Sequence, residues 1–492
     1  MSIQYIEMDD KYKYFDMAID YYTKLNKSKK FRIIKKLFYS TQLKGPHIDF
    51  YHYPYGLNKS SPLDNFKKFQ IKIIKSINHL LICETQKLFL NKHVIFAMIE
   101  QINNVLNEND QYWLNYEFSE YEVSDIKKTY TMYKLFLETY VNRLVVIRLG
   151  DTEIGEELYK TCIKSNLSVN ISPNQLQLFG IKRAKQVISI IESEFGMSIF
   201  DVINKYKNEG TPIQSETELI SSCMSNIMEL SNYVKQICPN IIVPETHKIK
   251  IKEIPQLRSK WSSKAKVSGR YLFLNMSNVK SYKKESLMRL CAHEVISGHI
   301  MYRTNSNIAI NDYFAYCKQY NKKCPKQTKR LMKSGIKALH EGFASYAETM
   351  MLEMYKQDKI YLYLSQLFHA VRIILDTGLN SSKVKFKFDK DSATKILKMY
   401  TLLNDNGINS EIHRYLANPA QACAYGFGYY CIKKMEEEYT KHNKPLSDFY
   451  SDIYKLPLPL PILAMYTKNL HRDGKLDRFN VQKIDDVNLL NG

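Results

Sequence analysis

CAHEVISGH, residues 291–299, is the stretch on which the reading of the fold turns. It opens like H-E-x-x-H, the helical signature in which two histidines four apart bind zinc from one face and the glutamate beside the first acts as base. Here His299 follows His293 by six positions, with Gly298 just before it. Residues four apart in a helix differ by about 40° around the axis, and residues six apart by about 120°. The two imidazoles can reach one metal only if the helix breaks between them. Ser297-Gly298 is where the break is expected, because glycine takes backbone conformations closed to other residues. Position 300, which would return to the face of His293, is an isoleucine, so a second histidine ligand in this stretch has to be His299.

Zinc also needs a third protein ligand and an open position. The candidate is Glu341, forty-two residues past His299 in KALHEGFASYAETMM (337–351). Glu341 is expected to begin a helix whose small residues, Gly342, Ala344, Ser345 and Ala347, permit close packing. Glu348 lies seven residues on, along the same face, where it can hydrogen-bond a ligand histidine from behind. His340 is an alternative ligand, but it points elsewhere on that helix. On its own H-E-x-x-x-x-H is explained as readily by two structural histidines.

IIVPETHKIKIKEI (241–254), which contains His247, and SGRYLFLN (268–275) alternate β-branched and aromatic residues with polar ones and are the predicted strands. KKESLMRLCAHEV then reads as a helix with Glu285 near its start. Strand, metal helix, second helix with an acid is the order a zincin needs: the strand borders the cleft and the helices carry the ligands. Upstream, Ser172-Pro173 is a helix start, and Gly180 allows a stop or bend before a further helix over 182–194. Residues 1–145 read as helices, among them NFKKFQIKIIKSINHLLICETQKLFL (65–90), with lysines between apolar residues at helical spacing. His47 and His52 fall in a Gly/Pro-interrupted loop over 45–64 and read as loop polar residues. KKCPKQTKRLMK (322–333) reads as a solvated basic face, and LPLPLPIL (456–463) as an extended tail packed along the body.

The expected fold class is mainly α with a small β-sheet (α+β), in a zincin-like metallopeptidase architecture. A helical N-terminal region (1–145) would cover the cleft. A catalytic domain (146–440) would hold the sheet and a helical lobe, and a C-terminal tail (441–492) would pack on the body. With 45% hydrophobic and 25% charged residues over 492 positions, extensive disorder is not expected. Lys plus Arg number 71 and Asp plus Glu 50, a formal charge of +21. The lysines are spread along the chain amid many Ile, Asn and Tyr, a mixture that suggests an AT-rich coding sequence, as in large DNA viruses and some microbes. The charge favours acidic partners in general, but no nucleic-acid-binding motif accompanies it. Nine cysteines without a C-x-x-C point to free thiols and away from a Cys-ligated metal. The N-terminus lacks the apolar core of a signal peptide, and no stretch has the apolar length of a membrane span, so a cytoplasmic protein is expected.

Three separated segments, HEVISGHIM, EGFASYAE and RYLANPAQACAYGFG (414–428), resemble in order the HE-x-x-PGHH-x-Q, EGWALYAE and RY-x-x-x-PGQA-x-x-Y-x-x-G segments of a bacterial zincin-like family, domain of unknown function 885. GRYLFLN resembles that family's strand before the metal helix, and 154–196 resembles its IG-x-E-x-Y…SP-x-x-L helices. The resemblance spans roughly 145–435. It departs at Ser297 (proline in the family), Ile300 (histidine), Phe343 (tryptophan) and Ala420 (glycine); no proposed ligand or base is lost. It implies a zincin-like fold and hydrolase chemistry.

On that reading Zn2+ is held by His293, His299 and Glu341. Glu294 is the general base, Tyr425 the oxyanion donor, and Gln421 lies on the same helix face as Tyr425. Arg414 suits a substrate carboxylate, as a carboxypeptidase needs, or pairs equally well with Glu348 or another core acid. Arg270 and Tyr271 on the cleft strand are further substrate-binding candidates. The partner would be a peptide or protein substrate. Two other readings stand beside this one: an inactive, metal-stabilised peptide-binding module, and a basic nucleic-acid-binding protein with incidental histidines.

Overall fold

A computed structural model describes residues 2–51, 61–144, 147–254, 259–260, 262–322, 337–351, 359–441 and 445–469. His52 and all but the first residue of the basic run 322–333 lie outside these. The described chain is mainly helical with one three-stranded sheet, β1 (Lys250–Glu253), β2 (Ala265–Ser268) and β3 (Tyr271–Leu274), in the order β1-β3-β2. β2 and β3 form an antiparallel hairpin, and β1 runs parallel to β3. The hairpin turns on two residues, Gly269 and Arg270, with Gly269 at φ 60°, the left-handed entry that a tight hairpin demands. Alternation sends Leu272 and Leu274 into the core and leaves Tyr271 and Phe273 half-buried on the other face.

The strands are shorter than the alternation implied. His247 is not in one: it sits in a short helical turn, Thr246–Lys248, exposed and beside Glu245. Gly180 does not interrupt its helix, which runs unbroken over Pro173–Phe195 after a Ser172 capping box. Its missing side chain instead admits a neighbouring helix, since a Cβ there would lie 2.9 Å from Ile373 Cγ2. The tail is extended only over 456–459 and then forms the helix Leu460–Asn469, with Leu456, Leu458, Leu460 and Leu463 buried. His47 is no loop residue. It is buried in the helix Pro46–Tyr51, within hydrogen-bond reach of Ser40 and Gln101.

Two hydrophobic cores organise the chain. One joins the first helix, from Tyr12 to Tyr22, to the sheet, the motif helices and the tail. The other joins the N-terminal helices from Leu37 onward to the helices Ile360–Asn380 and Asp405–Ala417. Gln42 donates to the carbonyl of His413, so the N-terminal helices sit directly against the third motif segment. Seven cysteines are free and buried, whereas Cys317 is disulfide-bonded, which departs from the expectation of free thiols throughout. Among the described residues no helix is long and apolar enough to cross a membrane.

Candidate metal centre

The helix that carries His293 spans Lys284–Glu294 and stops there; the next begins at His299 and runs to Gln319. Between them Val295 turns to φ −121°, ψ −84°, and Gly298 to φ −100°, ψ −140°. Ser297 stands at φ 69°. Only Gly298 fits the bend, because a Cβ there would lie 1.8 Å from the carbonyl oxygen of His293. Ser297 also occupies a conformation closed to proline, so this bend is shaped differently from the one the resemblance implies. Tyr454 donates to the Ser297 carbonyl at 2.7 Å and fixes the bend to the C-terminal helix Leu446–Lys455. The result is that the two imidazoles meet edge to face, with centroids 5.0 Å apart.

Glu341 and Glu348 project from the helix Lys337–Met350, already under way before Glu341 rather than beginning at it. Seven residues apart, they grip opposite edges of one ring. Glu348 Oε1 accepts from His293 Nδ1 at 2.9 Å, while Glu341 Oε2 lies 3.9 Å from His293 Nε2. That hydrogen bond puts the proton on Nδ1 and leaves the Nε2 lone pair toward the cluster. Arg289 at 3.6 Å and Ser365 at 3.4 Å hold the other Glu348 oxygen. His299 Nε2 lies 3.2 Å from the same Glu341 oxygen. One ligand atom from each of His293, His299 and Glu341 lies within 4.8 Å of the others, and this is the one such group among the described residues. Glu341 Oε2 is buried and has no hydrogen-bond partner. A buried carboxylate oxygen left without a donor is costly; aimed at two imidazole nitrogens, it fits a divalent cation. His340 faces away, packed edge-on against Tyr302, its pKa pushed down to about 3 by burial.

The charges around the cluster oppose one another. Burial disfavours the charged form of His293, but the Glu348 hydrogen bond and the surrounding carboxylates raise its pKa on balance. Burial likewise works against the Glu341 carboxylate, yet His299 and the neighbouring cations hold its pKa well below the usual range. Glu294 goes the other way: burial raises it. Among the described residues no hydrogen bond ties its side chain down.

The third motif segment closes one side. Its helix Cys423–Thr440 crosses the Glu341 helix where glycines meet: a Cβ on Gly342 would lie 2.3 Å from Gly428 Cα. Small residues on both helices allow this approach and bring Gln421 and Tyr425 to the cluster. Gln421 donates to Glu341 Oε1 at 3.3 Å and accepts from Arg414 at 3.0 Å. It therefore orients the Glu341 carboxylate and is occupied by it. The Tyr425 ring lies 6.0 Å from that of His293, tilted by 13°, and its hydroxyl accepts from Arg414 at 3.3 Å.

Arg414 is largely covered and bound to Glu411 at 2.8 Å, so it is committed to a core acid rather than open to a substrate carboxylate. Arg270 stands at the exposed hairpin turn, off the strand, and Tyr271 contacts Lys252 and Phe273 on the sheet, not the cluster. Several residues here gave no sequence signal. Glu411 accepts a bidentate pair from Arg372 and a further bond from Tyr415, and its pKa is held down to about 2 against the pull of burial. Arg372 in turn covers the Tyr425 ring at 4.4 Å. His369, buried with Nδ1 unpartnered, lies 5.6 Å from the same ring.

Over residues 77–450 the chain matches the family described as bacterial protein of unknown function (DUF885). Two solved structures share the fold. One, a candidate lipoprotein from Colwellia psychrerythraea, has a TM-score of 0.70 at 16% identity, over 88% of this chain and 80% of that one. The other, a candidate lipoprotein of unknown function from Shewanella oneidensis, has a TM-score of 0.56 at 17% identity, over 91% and 90%. No curated protein matches.

Proposed function

This chain belongs to the DUF885 family of bacterial proteins of unknown function, and from its site we propose that it is a zinc-dependent hydrolase of peptide bonds with a zincin-like arrangement. The observation that carries the reading is the convergence of His293 Nε2, His299 Nε2 and Glu341 Oε2, the last buried and without a hydrogen-bond partner. Two imidazoles and a carboxylate are a donor set suited to zinc. Bound there, zinc would polarise a scissile carbonyl and acidify a water.

The chain's own residues supply the rest. Glu294 follows the first ligand directly and has a buried but untethered carboxylate, the condition for taking a proton from water and passing it to the leaving amine. Tyr425, its hydroxyl turned toward Arg414, is assigned as donor to the developing oxyanion. Glu348 and Gln421 hold His293 and Glu341 in orientation. Arg414 is already engaged by Glu411, so nothing favours the narrower carboxypeptidase reading, and the proposal is peptide-bond hydrolysis without that restriction.

The test is digestion of a peptide library by the parent and by Glu294→Gln, with zinc measured in both. Zinc should remain while turnover falls about 10²–10⁴-fold. Equal turnover at equal zinc content would remove the hydrolase mechanism and favour the metal-stabilised binding module.

A further inference from the structure

Arg303 lies one turn past His299, on the same face of the helix His299–Gln319. It is half-buried, and among the described residues its guanidinium has no hydrogen bond, ion pair or ring contact. Burial lowers its pKa against the pull of Glu294, and its charge acts in turn on His340, the neighbour of Glu341. Two more cations come from other elements. Lys337 opens the helix Lys337–Met350, one turn before Glu341, and joins His299 in holding the Glu341 carboxylate ionised against burial. Lys44 closes the N-terminal turn Thr41–Lys44, whose Gln42 bonds the third motif segment. Solvent reaches Lys44, yet the protein around it lowers its pKa, and the charge of Lys337 lowers it further. Neither lysine has an ion-pair partner among the described residues. The carboxylates of the cluster are already used, Glu341 by the imidazoles and Gln421 and Glu348 by His293. Glu294 alone is left to face the three cations.

We propose that Arg303 is a specificity-determining residue that receives an acidic side chain of the peptide, an aspartate or glutamate near the scissile bond, with Lys337 and Lys44 extending the basic rim. The inference rests on the hydrolase reading for where the peptide lies. A guanidinium with its donors unused presents a planar fork that fits a carboxylate. A half-buried cation is costly to leave unpaired, and an arriving carboxylate removes that cost. The spread of the cations selects the source of the carboxylate. Basic groups on three separate elements suit acidic side chains along a segment, whereas a chain terminus offers a single carboxylate.

The experiment compares matched fluorescent peptides carrying Glu or Gln, each with a free and an amidated C-terminus, on the full chain and on Arg303→Gln and Lys337→Gln. Affinity is read by anisotropy in the Glu294→Gln background, where turnover does not interfere, and kcat/KM is read with Glu294 intact. Thermal melting checks that each variant folds. Without Arg303→Gln the Glu peptide should bind at least about tenfold more tightly than the Gln peptide, and Arg303→Gln should cut that ratio at least about tenfold. Lys337→Gln should lower the same ratio by a smaller factor, and its exposed position makes it decisive if Arg303→Gln does not fold. Equal affinity for the Glu and Gln peptides, or a ratio that both folded variants leave unchanged, would overturn the proposal. So would a preference that follows the free C-terminus in place of the side chain. The acidic preference in binding with no turnover by any form would sink the hydrolase reading and leave the role of Arg303 standing.

Discussion

At the residue scale, Glu348 shows how much of the site is set by groups that need not touch a metal. Its bond to His293 Nδ1 fixes the ring and the tautomer, and Arg289 and Ser365 steady it from behind. Glu348→Gln keeps the shape but removes the charge that supports the imidazole. It should weaken zinc binding about 10–100-fold, measured by competition with a chelator; an unchanged affinity would mean that the contact only packs. Glu348 was legible because seven residues is two helical turns, a spacing the eye can read beside Glu341. Glu411 and Arg372 were not legible, because their pairing joins two helices 39 residues apart and leaves no periodic trace. Arg414 suited either a substrate or a core acid by chemistry alone; burial beside Glu411 is what decides it.

At the element scale, the arrangement rests on one break and one crossing. The break at Ser297-Gly298 could be read from the sequence, since six-residue spacing cannot converge on a straight helix. Its shape could not, because left-handed Ser297 answers to the packing around it, including Tyr454. The crossing of the Glu341 and Tyr425 helices depends on Gly342 and Gly428. A Cβ on Gly428 would lie 1.9 Å from the Ala338 carbonyl oxygen, a backbone atom that cannot turn aside. Gly428→Ala should therefore cost at least about 3 kcal/mol of stability and loosen Gln421 from Glu341, seen as a lower denaturation midpoint together with weaker metal binding. A midpoint equal to the parent's would show that the helices do not cross this closely. Gly180 teaches the opposite lesson. A glycine inside a helical pattern suggested a bend, yet it serves close packing against Ile373.

At the scale of the whole molecule, Asp376 ties distant segments together. Its Oδ1 accepts from Tyr159 and from the Ala420 backbone, both at 2.8 Å, joining the IGEELY helix to the third motif segment. Its Oδ2 is buried without a partner, and burial raises its pKa from 3.8 to about 7. The folded state therefore holds a proton that the unfolded chain releases near pH 4, so the contribution of Asp376 to stability is full below about pH 4 and is lost as pH rises toward 7. The full effect is about 4 kcal/mol. In metal-free protein, denaturant unfolding should show the parent losing stability between about pH 4 and pH 7 and Asp376→Asn losing distinctly less. Parallel losses would mean that Asp376 is not the group responsible. No sequence pattern marks Asp376, because Tyr159 and Ala420 lie far from it along the chain. The mainly helical class and the small sheet were legible from periodicity; the sharing of both cores by N-terminal and motif helices was not, because core membership is a matter of long-range packing.

The most direct test of the account is the zinc content of the purified parent and of His299→Ala, measured by mass spectrometry after equilibration at neutral pH. If His293, His299 and Glu341 form one site across the broken helix, the parent holds one zinc per chain and His299→Ala loses most of it. Full occupancy in His299→Ala would contradict the account, since His299 would then be a structural histidine and the convergence of the three side chains would have no bearing on metal.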